Sequence, residues 1–172
     1  MPPVARRRTR PVPDRDGLIA TLAETMSLEG HVHQPRVIWN PLPIEGKLDV
    51  MVIWARWRGI SFEDRTAIIR EACARYKADL PEKIYTAIGR TPDEAVDLGY
   101  LPIRIAPVTR RIEPEDWARI DEAMIAEGAF ETEQGLQLRF ADFDEAQGSF
   151  LRLQERVPGP FWTIVEEVVK DY

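Results

Sequence analysis

His31 and His33 stand two residues apart, so in an extended segment both imidazoles project to the same side, which is how a metal site can begin. Two ligands do not close a coordination shell, and a third would have to come from a distant carboxylate. An ordinary polar loop is the plainer reading, and no metal is expected. Trp54, Arg56, Trp57 and Arg58 interleave rings with cations, a pattern that can stack bases while contacting phosphates. In a strand, however, Trp54 and Trp57 would face opposite sides, which argues against one continuous platform. Arg6, Arg7, Arg8 and Arg10 fall in an opening stretch, 1–12, that holds no acid. Arginines neutralise phosphates without needing an ordered backbone, so these four join Arg56 and Arg58 as candidate nucleic-acid contacts.

The single cysteine, Cys73, cannot form an internal disulfide and excludes a multi-cysteine zinc or iron–sulfur site within one chain. Ile68, Ile69, Ala72 and Tyr76 surround it at helical spacing, so it reads as a small hydrophobe on a buried helix face. Acid pairs such as Glu115/Asp116, Asp121/Glu122 and Glu166/Glu167 are adjacent in sequence. A general acid–base pair needs convergence from separate elements, so solvated faces explain these better. Glycine-rich phosphate loops, a nucleophile elbow and metalloprotease spacing are absent from the sequence. No catalytic residue is assigned and no cofactor is expected.

The elements that must position these groups follow from composition and periodicity. A chain of 172 residues, 44% hydrophobic and 30% charged, is long enough for one substantial domain or two small packed ones. No apolar run approaches the roughly 20 residues that cross a bilayer, and the start lacks a signal-peptide stretch, so a cytoplasmic protein without a membrane partner is expected. The net charge of −6 hides an asymmetry: residues 113–172 hold 15 acids and 5 bases, a net of −10, which leaves +4 for residues 1–112. Much of that excess sits in the proline-punctuated segment 1–13, expected to be a disordered basic tail.

A first helix is expected over 14–28, with Leu18, Leu22 and Met26 at fourfold spacing and Gly30 as its stop. A short strand at 36–39 and a long one at 48–57 make a hairpin, and Ser61 with Asp64 caps a helix over 61–78 that Pro81 closes. A returning strand at 83–88 completes a hairpin–helix–strand unit. Thr91-Pro92-Asp93-Glu94 starts a short helix that Gly99 ends. The strand at 101–108 reads as an edge, because Pro102 and Pro107 cannot donate to a ladder. Pro114 opens a helix with Trp117, Ile120 and Met124 on one face. Strands at 129–132 and 136–140 flank Gly135, and Asp142 with Glu145 caps a helix carrying Phe143, Phe150, Leu153 and Val157. The segment 161–169 fits either a helical stripe or a strand, and strand is chosen for its β-branched content.

The expected fold class is therefore α+β: two ββαβ-type units with mixed or antiparallel sheets and helices packed on one face. The first unit spans 14–112 and the second, acidic one 113–172, either separate or joined as one compact domain.

Trp57-Arg58-Gly59-Ile60-Ser61, then Arg65 and a helix, then 83–88 and Thr91-Pro92-Asp93-Glu94 give 48–99 a local order that resembles BolA-like proteins. That family shows an aromatic-x-Gly turn after a strand, an arginine six residues beyond the glycine, a helix, a β-segment and a short helix. The resemblance implies a type II KH-like fold and an association with monothiol glutaredoxins through a shared iron–sulfur cluster. Thr66 stands where the family has histidine, and Tyr85 or Thr86 occupies the place of the later one. A threonine hydroxyl is a poor substitute for imidazole at iron, so the resemblance extends to the scaffold and stops short of the cluster ligands. The functional expectation is a non-enzymatic binding or adaptor protein acting through protein contacts. The alternatives are nucleic-acid binding through the basic tail and the Trp/Arg strand end, and an enzyme with a site between the units. A homo-oligomer stays open.

Overall fold

The computed structural model describes Val12 and residues 14–26, 35–108, 110, 112–159 and 161–167. His31, His33 and the four tail arginines lie outside them, as does all of the expected tail except Val12. The first unit runs α1 (Arg15–Met26), β1 (Arg36–Pro41), β2 (Leu48–Ile53), α2 (Phe62–Tyr76), a single turn α3 (Leu80–Lys83), β3 (Ile84–Arg90) and α4 (Pro92–Asp97). β1 pairs antiparallel with β2, and β2 parallel with β3, so this three-stranded sheet is mixed. β4 (Ile103–Pro107), α5 (Trp117–Ala126), β5 (Phe130–Thr132), β6 (Gly135–Phe140), α6 (Phe143–Arg156) and β7 (Trp162–Glu166) follow. Their sheet is ordered β5-β6-β4-β7, with every pair antiparallel. The chain is α+β.

Strand alternation decides where the cores sit. Val50 and Val52 of β2 and Ala87 of β3 join Leu18, Ile19 and Leu22 of α1 and Ile68, Ile69, Ala72 and Cys73 of α2 in one apolar cluster. α2 forms there because its start is satisfied locally: the Ser61 hydroxyl accepts the Asp64 N–H, and Glu63 and Asp64 lie at the positive end of the helix dipole. In the second sheet Ile103, Ile105, Leu138 and Phe140 pack with Ile120 and Met124 of α5 and Leu153 of α6. A third cluster joins the two units: Ile53 of β2, Ala95 of α4, Leu101 and Phe130, with Ile38, Met51 and Val96 at its margin. Arg36 strengthens that junction by donating to the Arg139 carbonyl and lying 5.0 Å over the Phe140 ring.

Several expectations need correction. The strand expected over 48–57 ends at Ile53, because Arg90 carbonyl accepts the Trp54 N–H as β3 finishes and the chain then winds into a 3-10 turn at Ala55–Trp57. Trp54 and Trp57 consequently do not oppose each other across a strand; their rings meet edge to face, centroids 5.3 Å apart. Both are buried, and the Trp57 indole donates to the Val52 carbonyl at 2.9 Å. Gly59, at φ +74°, closes this turn into α2. The helix expected to run to 78 stops at Tyr76, and Pro81 lies inside α3 instead of ending α2.

β4, expected at an edge, is a central strand flanked by β6 and β7. Pro102 and Pro107 fall at its ends, where their missing donors interrupt no interior ladder bond. It also belongs to the second sheet, although it precedes residue 113 in the chain. Phe143 does not join the buried stripe of α6; it is 53% exposed. The ambiguous segment 161–169 carries a strand, Trp162–Glu166, set antiparallel to β4.

Candidate functional site

One set of linked hydrogen bonds and ion pairs surrounds α4, the short helix between the two units. Thr91 caps it with both halves of a capping box: the Glu94 N–H donates to the Thr91 hydroxyl at 3.3 Å, and the Thr91 N–H to the Glu94 carboxylate at 2.9 Å. Pro92 supplies the first helical position, where a missing N–H costs nothing. The Glu94 carboxylate also receives Arg65 from α2 at 2.7 Å. Arg65 is buried and donates through Nε to the Ile60 carbonyl and through Nη1 to the Gly89 carbonyl. A side chain at position 89 would meet the Arg65 Cβ at 2.8 Å, so the glycine there is what admits the arginine. Burial raises the Glu94 pKa, yet hydrogen bonds from Arg65 and the Thr91 N–H, with the charges of Arg65 and Arg90, outweigh it and hold the carboxyl below its usual 4.5.

α4 divides two clefts that share Val96 and Asp97 as a wall. The cleft of about 200 Å³ continues over Gly99, Leu101, Pro102, Arg139 and Glu167. Its floor is Arg139, 4% exposed, whose guanidinium donates to Gln137, to the Leu101 carbonyl at 3.3 Å and to Glu167 at 2.7 Å. Glu167 bonds Arg104 as well, at 2.9 Å. Burial again pushes the Glu167 carboxyl up, and the two arginines pull it down further, to a net value below 4.5. The second cleft, about 130 Å³, lies between Asp93 and Asp97 of α4 and the β5–β6 turn, with Thr132, Glu133, Gln134 and Gln137. Asp93 is held there by the Glu133 N–H at 3.1 Å and by Arg58 at 3.1 Å. Asp97 and Glu133 have no side-chain ion partner among the described residues.

The clefts are therefore acidic and small. Ligand pockets for drug-sized molecules run to roughly 300–1,000 Å³; these fit single side chains. Carboxylates along the wall and mouth suit guanidinium or ammonium groups presented in sequence by a peptide.

The residues singled out from sequence fall elsewhere or at the margin. Arg58 reaches the site through Asp93, while Arg56 pairs with Asp14 and lies 5.2 Å over the Trp54 ring. Their side chains are about half exposed, but the two indoles beside them are packed inside. Cys73 is buried, with its thiol pushed up to about 11 by desolvation and its Sγ 3.7 Å from Met26 Sδ. Glu115 and Asp116 lie on a 3-10 turn and Asp121 and Glu122 on α5, away from the clefts; of the acid pairs only Glu167 lines one. Among the described residues no group of three or more histidines, cysteines or carboxylates is placed to hold a metal ion, and no helix is long and apolar enough to cross a membrane. Asp97, Glu133, Gln137 and Arg139 were missed. The one signal was the polar half of the 136–140 alternation, which reads as solvent-facing until α4 is placed over it. No protein-family model matches the chain, and neither the curated proteins nor the solved structures contain a match to it.

Proposed function

We propose that this chain is a non-enzymatic binding protein that acts through protein contacts, and that the acidic clefts along α4 are where a lysine- or arginine-bearing segment of a partner docks. The observation that carries the reading is the pair of uncommitted carboxylates, Asp97 and Glu133, facing clefts whose other charges are already paired. Arg139 and Arg65 are spent on holding the units and α4 in place, which leaves the site a net negative surface. The dimensions favour side-chain recognition over enclosure of a small molecule. In the segment 48–99, a strand, the Trp57–Gly59 turn, a helix carrying Arg65, a second strand and a short helix follow in the order the BolA-like resemblance implies; this supports a shared scaffold as part of the proposal. It adds nothing to the case for a cluster, since Thr66 is engaged with the Ala87 carbonyl at 2.9 Å.

Fluorescence anisotropy with a labelled arginine-rich peptide and an acidic control of equal length tests the reading. The basic peptide should bind at low salt, weaken as salt rises, and lose roughly threefold to tenfold in affinity to an Asp97→Asn/Glu133→Gln variant, the range expected for two exposed charge contacts. Equal binding of both peptides, or binding indifferent to the double substitution, would remove it.

A further inference from the structure

We propose that β1 is an open sheet edge on which a second copy of this chain lays its own β1 antiparallel, joining the three-stranded sheets of the two copies into one. This self-association is independent of the clefts along α4 and uses a different surface.

The edges of the two sheets are treated unequally. The outward carbonyls of β3 are already taken by α2: Tyr85 accepts from Arg70 at 3.2 Å, Ala87 from the Thr66 hydroxyl at 2.9 Å and Gly89 from Arg65 at 3.1 Å. In the second sheet β5 is only three residues long, and β7 ends on Glu166 with Glu167 beside it, a short edge and a charged one. β1 has neither protection. The Leu42 N–H bonds the Lys47 carbonyl one step beyond the β1–β2 ladder, so Arg36, Ile38 and Asn40 turn their amides toward β2, and Val37 and Trp39 turn theirs outward. Among the described residues nothing bonds those outward groups. Trp39 is 36% exposed.

The outward groups of β1 complement themselves. Pro35, just before the strand, and Pro41, its last residue, have no N–H, and prolines of this kind ordinarily blunt an edge. Here they leave a gap with donors at Val37 and Trp39 alone, centred on Ile38. Antiparallel pairing about Ile38 sets Val37 opposite Trp39 of the second copy and Trp39 opposite its Val37, each pair exchanging both backbone bonds, while proline faces proline at the ends. Every outward donor is used. A shift by two residues would set a proline against one of the donors and leave amides unpaired. The side chains agree with this register: a valine meets a tryptophan on the face that holds Val50 and Val52, Ile38 meets Ile38, and Arg36 meets Asn40, so no like charges are opposed. A surface patch that pairs with itself in this way gives a closed twofold dimer.

Sedimentation equilibrium of the full chain from micromolar to millimolar concentration should show a monomer–dimer equilibrium. Each copy carries a net charge of −6, so the dimer should tighten as salt rises, opposite to the binding of a basic peptide. Trp39→Pro removes an outward N–H that the chain itself does not use, and should raise the dimer dissociation constant roughly tenfold or more with the far-ultraviolet circular dichroism unchanged. Register is read by cysteine. In Ile38→Cys the two thiols face each other at a non-hydrogen-bonded pair, about 4.5 Å between Cα atoms, and oxidised glutathione should link the copies through a disulfide. In Asn40→Cys they lie about 13 Å apart along the strands and should not link. Cys73 is buried in both variants.

A wild type that stays monomeric throughout overturns the proposal and leaves the edge to an extended segment of another protein. A dimer that Trp39→Pro leaves intact, or one in which Asn40→Cys links as fast as Ile38→Cys, overturns it as well. None of these results touches peptide binding at the clefts, which stands or falls on Asp97 and Glu133.

Discussion

Arg65 shows how much one side chain can decide. It lies on α2, yet its three donors reach the Ile60 carbonyl, the Gly89 carbonyl and Glu94, so a single guanidinium ties the start of α2, the end of β3 and α4 together. Its position six residues after Gly59 was visible in the sequence. What it bonds was not, because Gly89 and Glu94 lie 24 and 29 residues away and nothing in the local pattern marks them as partners. The electrostatic consequence has a definite sign. The Glu94 carboxyl is held below its ordinary 4.5, so the folded state keeps it charged where the unfolded chain would begin to protonate it. Such a group contributes stability that is complete above the unfolded value and is lost as pH falls through the folded one. The gap in urea midpoint between wild type and Glu94→Gln should therefore be widest above about pH 4.5 and narrow steadily as the pH is lowered below it. A gap that stays constant across that range would show that Glu94 acts by shape alone.

Elements were legible in the sequence where their causes are local. Ser61 with Asp64, Thr91 with Glu94 and Asp142 with Glu145 are caps three residues apart, and each was found with its hydrogen bonds in place. The errors came where pairing is long-range. Pro102 and Pro107 suggested an edge strand, but β4 lies between β6 and β7, a neighbourhood set by residues 33 to 63 positions later. Gln137 and Arg139 read as a solvent face for the same reason: α4 and Leu101, which cover them, precede them by more than 30 residues. The groove itself was thus invisible, although its wall was the best-marked helix start in the chain. That start should be measurable in isolation. Thr91→Ala removes the hydroxyl that receives the Glu94 N–H and should cost about 0.5–2 kcal/mol in urea unfolding, whereas Thr91→Ser should retain most of it. Equal losses in both variants would assign the effect to the missing methyl group and not to the cap.

At the scale of the molecule, the question is whether two sheets with separate cores unfold as one. The units contact through a small apolar seam, Ile53, Ala95, Leu101 and Phe130, framed by Arg36 on the Arg139 carbonyl and Arg139 on the Leu101 carbonyl. Both frame bonds are buried, so opening the seam would expose an arginine–carbonyl pair along with the apolar surface and strand polar groups that water must then satisfy. Burial opposes the charge on Arg36, while Glu145 and Asp142 favour it, an arrangement that holds only while the two units stay closed. The seam should therefore transmit stability between the cores. Native-state hydrogen exchange is expected to give the amides of β2 and β3 and those of β4 and β6 the same opening free energy in the wild type. Phe130 is the largest side chain of the seam, and Phe130→Ala should cost about 3–5 kcal/mol by opening a cavity there. Its effect on the first sheet is the decisive reading, because Phe130 belongs to the second unit. If the seam couples the units, β2 and β3 amides lose protection along with β4 and β6. If only the second sheet loosens, the two cores are independent, and the groove between them would have to be held by its ion pairs alone.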